Sequence, residues 1–394
     1  MDADKIARGV AEPPVRTENG LCSRYRCSKS QCTACADVCP AAGALRLTEQ
    51  GVEINDACVA CGACVSACPN GAIQSAQTDR ALAVRIRALV EPEKPFRVAC
   101  ESADGPADMV VACLSRLTEA LLLEPLRWGT ERVEILDPGC KGCPLEKASP
   151  QWERVFQLAG SLCEAAGLDR DRIIRVPVPR RDPKVAPSAP EEAVSRRDLF
   201  CSFARKTAKV AATALPDMQP QRAPAELFRD ALQRHHENPK RSHLLEVLQS
   251  LSSAGARSKK IPVEGRPFAD LEVTSKCMGC NVCETLCPVG AIGRREENGV
   301  FALEFDPACC TGCRVCEMAC LPKAIRVKES FDLHALMDCR VTTLIRSNRR
   351  TCQACRADFL DDASDFCPLC LLTERRQKAM ARRWILGGNG NGRA

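Results

Sequence analysis

The sequence predicts a multidomain α+β protein in which two small, loop-rich cysteine units flank a small α/β domain and a helical linker region, with a four-cysteine module at the C-terminal end. Three observations predict it. Cysteine supplies 29 of the 394 residues, the cysteine clusters recur in two pairs near 32–73 and 277–325, and strand-like and helix-like segments alternate between the pairs. In a short secreted chain such a count would imply disulfides. Here the length, the C-x2-C spacings and the lack of a secretory signal imply metal and a reducing compartment.

Composition narrows the class further. Aromatic residues make up only 4% of the chain, so bound metal is expected to replace part of the hydrophobic core, its binding free energy doubling as folding free energy. The four histidines, His235, His236, His243 and His334, leave little room for imidazole-rich sites. No cysteine is followed by histidine, which excludes C-x-x-C-H haem attachment. A net charge of +6 is modest for this length and describes a solvated surface rather than a nucleic-acid footprint. The opening "MDADKIARGVAEPPV" has no apolar h-region and no run of 18 apolar residues occurs, so the expectation is a soluble, cytoplasmic protein with no membrane span.

The elements follow in order. Residues 1–92 form the first cysteine unit and 266–346 the second. Within them "LRLTEQGVEI" alternates apolar and polar residues about a glycine turn, and "EENGVFALEF" carries the Asn298–Gly299 hairpin signal. Neither unit has enough apolar residues to fold convincingly without its metal. Residues 93–180 read as the α/β domain: "FRVAC", "ADMVVAC", "RVEIL" and "RIIRVPV" are strand-like, while "LTEALLLEPLRWG" and "QWERVFQLAGSLCEAAG" have helical periodicity. Residues 181–265 hold a proline-rich linker and two or three amphipathic helices, the first capped at Ser195 and Asp198. Its "SRRDLF" is similar to a twin-arginine export signal, but its internal position and missing apolar run favour an ordinary helix. Residues 347–394 form the C-terminal module with its basic tail, ending in a disordered "GGNGNGRA".

The chemistry lies in the cysteine spacing. Each iron of a cuboidal cluster needs one soft anionic ligand, and a C-x2-C-x2-C loop supplies three. In a C-x2-C-x2-C-x3-C-P run the last cysteine ligates the other cluster of a pair. Four such endings occur: "CPAAGAL", "CPNGAI", "CPVGAI" and "CLPKAI". Over roughly 80 residues the two pairs resemble bacterial-type two-cluster ferredoxins. The resemblance implies two ferredoxin-like dicluster domains carrying four 4Fe-4S clusters.

In the second pair it implies one cluster on Cys277, Cys280, Cys283 and Cys320 and another on Cys310, Cys313, Cys316 and Cys287, with Cys309 off register. In the first pair it implies one on Cys58, Cys61, Cys64 and Cys39. The partner set has Cys32, Cys35 and Cys68, but Lys29 stands where a cysteine is expected, so either Cys22 or Cys27 completes it. A three-iron form is an alternative there. Zinc or metal-free buried thiols are the competing readings for all of these sets.

In the α/β segment, Cys100, Cys113, Cys140 and Cys143 occur in an order of strands and helices that resembles the delta-subunit family of methyl-viologen-reducing hydrogenases. The resemblance covers about 80 residues and departs at the short "GCKGCP" turn and at the first cysteine pair, reduced here to Cys100. It implies a 2Fe-2S cluster, with zinc or scattered buried thiols as alternatives. Near the C-terminus, Cys352, Cys355, Cys367 and Cys370 form two C-x2-C knuckles that look like a zinc ribbon, a closed site for Zn, with rubredoxin-type iron as the alternative. Arg349, Arg350, Arg375, Arg376, Lys378, Arg382 and Arg383 surround it without interleaved aromatics, which favours a solvated basic helix or a protein-docking face over a nucleic-acid surface. Cys163, Cys201 and Cys339 are expected to be buried thiols.

No Walker loop, dinucleotide fingerprint or nucleophile elbow appears. The expected function is electron transfer through several 4Fe-4S clusters to or from a separate catalytic oxidoreductase subunit. The family resemblance suggests a hydrogenase, heterodisulfide reductase or formate dehydrogenase, with a redox donor or acceptor protein as second partner. The alternatives are an assembly factor with structural clusters and a redox-responsive regulator.

Overall fold

The computed structural model describes residues 15–181, 232, 234–252, 256–361, 363–368, 370–374 and 377–378. The helix expected from Ser195, Cys201 and the terminal "GGNGNGRA" lie outside the described residues.

The first cysteine unit is built from β1 (Val15–Thr17), α1 (Ser23–Arg26), α2 (Ala34–Asp37), the hairpin β2 (Leu45–Thr48) and β3 (Gly51–Ile54), α3 (Ala63–Ala67) and β4 (Ile73–Ser75). β1 and β4 pair antiparallel, Val15 opposite Ser75, so the two ends of the unit close on each other. α4 (Asp79–Leu89) follows, capped by the Thr78 hydroxyl, which accepts from Ala81 N–H at 3.2 Å.

The α/β domain contains β5 (Phe96–Cys100), β6 (Met109–Val111), α5 (Glu119–Arg127), β7 (Val133–Asp137), α6 (Ser149–Ala165) and β8 (Ile173–Pro177). Its four strands are all parallel in the order β6-β5-β7-β8. Near-continuous apolar strands suit a sheet covered by helices.

The second unit begins after α7 (Pro239–Leu251) and β9 (Lys260–Pro262). It comprises β10 (Leu271–Val273), α8 (Val282–Leu286), the hairpin β11 (Ile292–Glu297) and β12 (Val300–Phe305), α9 (Val315–Ala319) and β13 (Ile325–Val327). β10 and β13 close the unit as β1 and β4 close the first, giving both the same strand–helix–hairpin–helix–strand plan. Asn298 (φ 51°) and Gly299 (φ 76°) make the expected turn of the second hairpin. β14 (Ser330–Asp332) pairs with β9, and α10 (Ala335–Asp338) follows. β15 (Thr342–Thr351) then pairs with β12 and β16 (Asp358–Leu360) with β15, so the C-terminal module extends the second unit's hairpin into a four-stranded sheet.

The main hydrophobic core is centred on the α/β domain. Leu121, Leu123, Ile135, Trp152 and Leu162 are buried there together with Leu244, Val247 and Leu248 of α7 and Phe268, Phe331 and Leu336 from the second unit. The segment expected to link the domains therefore contributes a core helix. The first cysteine unit has little core of its own, consisting of Val15, Cys35, Val52, Cys64, Val65 and Ile73, whereas that of the second adds Phe301, Leu303 and Phe305 of its hairpin. Cys163 is buried as expected, but Cys339 is exposed. It ends the one-turn α10 in the left-handed region (φ 47°), beyond the part of that helix that Leu336 anchors. Among the described residues no helix is long and apolar enough to cross a membrane.

Candidate metal centres

The three regular cysteine loops share one backbone device. The residue before the second cysteine and the residue after it both lie in the left-handed region: Ala60 and Gly62 (φ 55° and 75°), Gly279 and Asn281 (65° and 62°), Gly312 and Arg314 (67° and 59°). Such conformations cost a non-glycine residue about 1–2 kcal/mol. The loop therefore needs something that returns that energy. These residues coil the chain around its own centre, and a short helix starts directly after each coil.

In the second unit the result is two small cavities. Cys277, Cys280, Cys283 and Cys320 line one, and Cys287, Cys310, Cys313 and Cys316 line the other. Each proline-side cysteine has crossed to the partner loop. The crossing is held by an N–H···S bond four residues on: Ala291 N–H donates to Cys287 Sγ at 3.3 Å, and Ala324 N–H to Cys320 Sγ at 3.2 Å. Ala72 N–H does the same for Cys68 at 3.3 Å. The "CLP" variant keeps this spacing, which is why displacing the proline by one residue leaves the turn intact. The "CPAAGAL" turn is one residue longer, and its Ala44 N–H bonds Ala41 O at 3.3 Å instead. Cys309 lines neither cavity, and burial together with Asp306 pushes its thiol up to about 12.

Gly312 offers a direct check of this geometry. A Cβ there would stand 2.8 Å from the Phe268 carbonyl oxygen, a backbone atom that cannot rotate away. Gly312→Ala is expected to add about 1–2 kcal/mol of left-handed strain to that clash and to abolish metal retention by the Cys310 loop. Metal analysis of the purified variant measures it.

In the first unit, the thiols acting on Cys32 and Cys35 are Cys68 and Cys22, and those acting on Cys61 and Cys64 include Cys39 and Cys58. Cys22, Cys35, Cys58, Cys64 and Cys68 meet in one small core. Cys22 precedes α1 and Cys27 follows it. That helical turn is the insertion that breaks the regular spacing, and Thr33 (φ −124°) lacks the left-handed geometry of its counterparts.

The middle set owes its position to topology. Cys100 ends β5, Cys113 follows β6, and Cys140 and Cys143 follow β7, so all four sit beyond the carboxyl ends of three adjacent parallel strands. That is where open α/β sheets bind ligands. The Cys113, Cys143 and Cys100 thiols all act on Cys140, which burial first, then Asp137, pushes up to about 11. Cys113 also packs against the hydrophobic cluster that contains Cys61 of the first unit.

At the C-terminal end, Cys352 follows β15, Cys355 lies in the turn to β16, and Cys367 and Cys370 complete the set. Their ligand atoms all lie within 4.8 Å of one another, the only three-or-more-residue ligand group so close among the described residues. Cys355 Sγ and Cys367 Sγ are 3.7 Å apart, against about 3.8 Å for tetrahedral sulfurs around a zinc with Zn–S near 2.3 Å. Cys367 N–H donates to Cys352 Sγ at 3.3 Å, and this bond leads the backbone contacts that hold the Cys352 thiol below its ordinary value.

The contrast separates two chemistries. One ion fits the C-terminal site, and among the described residues none of the other cysteine sets gathers so closely. Burial pushes the Cys35, Cys283 and Cys310 thiols up to about 12, so thiolates gathered at those places need metal cations beside them. Residues 276–324 match the family model of the 4Fe-4S dicluster domain, and residues 52–74 that of the 4Fe-4S binding domain. No curated protein matches the chain. On these matches and this geometry, the chain contains iron-sulfur ferredoxin-like domains on both sides of its central α/β domain, together with a separate four-cysteine metal-binding group.

Proposed function

We propose that this protein is an electron carrier with four 4Fe-4S clusters and one smaller centre, serving a catalytic oxidoreductase subunit. Cys277/Cys280/Cys283/Cys320, Cys287/Cys310/Cys313/Cys316, Cys39/Cys58/Cys61/Cys64 and Cys22/Cys32/Cys35/Cys68 hold the four. Cys100/Cys113/Cys140/Cys143 hold a 2Fe-2S cluster, as the hydrogenase-delta resemblance implies, and Cys352/Cys355/Cys367/Cys370 hold zinc. The domain limits follow the sequence reading.

The observation that carries the proposal is the crossed cysteine arrangement of the second unit, repeated in the first. A cluster held by four cysteines takes up and returns one electron without making or breaking a bond. The protein's own part is to bury the thiolates and direct N–H groups such as those of Ala72, Ala291 and Ala324 at sulfur, which favours the more negative reduced state. The hydrogenase-delta resemblance supports a hydrogenase, heterodisulfide reductase or formate dehydrogenase as the catalytic partner, in the cytoplasm.

Anaerobic purification from the native host, followed by reduction with dithionite, tests the function. A stoichiometric catalytic subunit and reversible bleaching of the visible spectrum are expected. Clusters that resist reduction, or only a transient complex with an immature enzyme, would favour an assembly role. For the irregular set, Cys22→Ser is expected to lose about four irons per chain and Cys27→Ser to retain them.

A further inference from the structure

Three buried or half-buried cations converge where the two ferredoxin-like units meet. Arg26 of the first unit is 2% exposed and Arg241 6% exposed. Lys240 is half-buried, with its ammonium turned onto protein carbonyls. Arg26 Nη1 donates to Leu232 O at 2.7 Å and to Thr285 O of α8 at 3.4 Å, and its Nη2 to Arg234 O. Lys240 Nζ donates to Cys68 O at 2.6 Å and to Ser66 O at 2.7 Å. Arg241 Nη2 donates to Cys310 O at 3.0 Å and to Pro267 O. Two consecutive residues thus hold one cysteine carbonyl from each unit.

The segment 234–241, "RHHENPKR", clasps both units at other points too. His235 Nδ1 donates to Cys287 O at 3.0 Å, His236 N–H to Pro288 O at 2.9 Å, and Asn238 Nδ2 to Pro69 O at 3.0 Å. Beneath it, Thr311 Oγ1 donates to Asn70 Oδ1, both side chains being 1% exposed. Asn70 Nδ2 in turn donates to Ser23 Oγ at 2.9 Å, and Ser23 lies beside the Cys313 thiol. Ser23 is the neighbour of Cys22, so a single residue separates a thiol of the first unit from one of the second.

Burying a cation without a counter-charge is costly. Among the described residues no carboxylate lies within 4.0 Å of Arg26, Lys240 or Arg241. Beyond contact distance, Glu119 and Asp79 join Cys68 in facing Lys240, and Glu119 and Asp306 join Cys310 in facing Arg241, while Cys287 and Cys313 face Arg26; negative charge on the two thiolate sets adds to these.

We infer that this junction is the electron crossing between the two ferredoxin-like units, and that Lys240 and Arg241 are positioning residues that stabilise the reduced state on its two sides. The inference rests on the electron-carrier reading. One electron crosses: the side that gives it is oxidised by one unit, the side that receives it is reduced by one, and no proton or bond is exchanged. With Cys113 packed against the hydrophobic cluster that contains Cys61 at one end, the crossing joins the five sets in an unbranched order. The Cys100 set comes first, then the Cys39, Cys22, Cys287 and Cys277 sets. Cys280, exposed, lies at the far end beside the C-terminal module, whose Arg349 Nη2 donates to Gly279 O at 3.3 Å.

Lys240→Gln and Arg241→Gln in the full-length, iron-loaded protein test it by paramagnetic resonance during a redox titration with dithionite as one-electron reductant. Lys240→Gln is expected to lower the potential of the Cys22 set, and Arg241→Gln that of the Cys287 set. Each shift should change the reduced fraction at least tenfold, about 59 mV for one electron. The Cys277 set, which neither cation touches, should not move, and Arg241→Lys should restore most of the shift. Unchanged potentials with full iron overturn the inference. So does selective iron loss that Arg241→Lys does not repair, because it shows a role in holding metal alone. If the wild-type sets cannot be reduced at all, the carrier reading itself fails.

Discussion

Cys287→Ala is expected to remove the iron held by the loop that Cys287 does not belong to. Cys287 ends the run that begins at Cys277, yet it lines the cavity of Cys310, Cys313 and Cys316. If the crossed arrangement holds metal, the variant loses about four irons and the signal of the Cys310 set. The Cys277 set, completed by Cys320, keeps its own. Cys320→Ala is expected to give the reciprocal loss. Iron analysis with spectroscopy of both variants measures this, and loss of the variant's own loop set instead would refute the crossing.

Stripping iron with a chelator under reducing conditions is expected to unfold the ferredoxin-like units while leaving the α/β domain standing. The difference follows from where apolar surface is buried. The first unit's core has six buried residues, two of them cysteines. The α/β core contains Phe96, Trp152 and the leucines of α5, and continues into α7. Full burial of one large apolar side chain is worth about 1.5–3 kcal/mol, so four apolar residues offset little of the ordering cost of the loops. Structural metal sites have supplied about 10–16 kcal/mol of apparent binding free energy in small domains. Limited proteolysis should therefore cut first within residues 15–75 and 271–327 and spare 96–177. Equal protection of all three regions would show that the clusters are not structural.

Much of this architecture is legible in the sequence because cysteine spacing and strand alternation are local signals. The repeated proline-side ending announced two similar units, and the Asn298–Gly299 pair announced a hairpin whose turn geometry is the one such residues adopt. The four strands of the α/β domain followed from short apolar runs, whereas their parallel pairing comes from the fold. What remained illegible depends on long-range contact. Whether Cys22 or Cys27 joins Cys32 and Cys35 is decided by which end of a four-residue helix faces Cys68, and spacing alone carries no such information.

The clasp at 234–241 was hidden for a related reason. Its histidines, lysine and arginine look like ordinary surface residues until the fold places cysteine carbonyls against them. One local signal was available: Asn238 before Pro239 is a helix-start pair, and Asn238 does cap α7, accepting from Arg241 N–H at 3.2 Å. Cys339 shows the reverse case. Cysteine is commonly buried, but the residue that closes this one-turn helix turns into the left-handed region and is left at the surface.

The central claim is that the chain carries several iron-sulfur clusters that exchange electrons, together with one separate metal ion. Iron, sulfide and zinc analysis of anaerobically purified protein, combined with paramagnetic resonance during a redox titration, tests it most directly. About sixteen irons from four cubane sets, two more from the middle set and one zinc are expected, with signals that appear and vanish reversibly. Zinc in most of the sites, or clusters that take up no electron, would contradict the account.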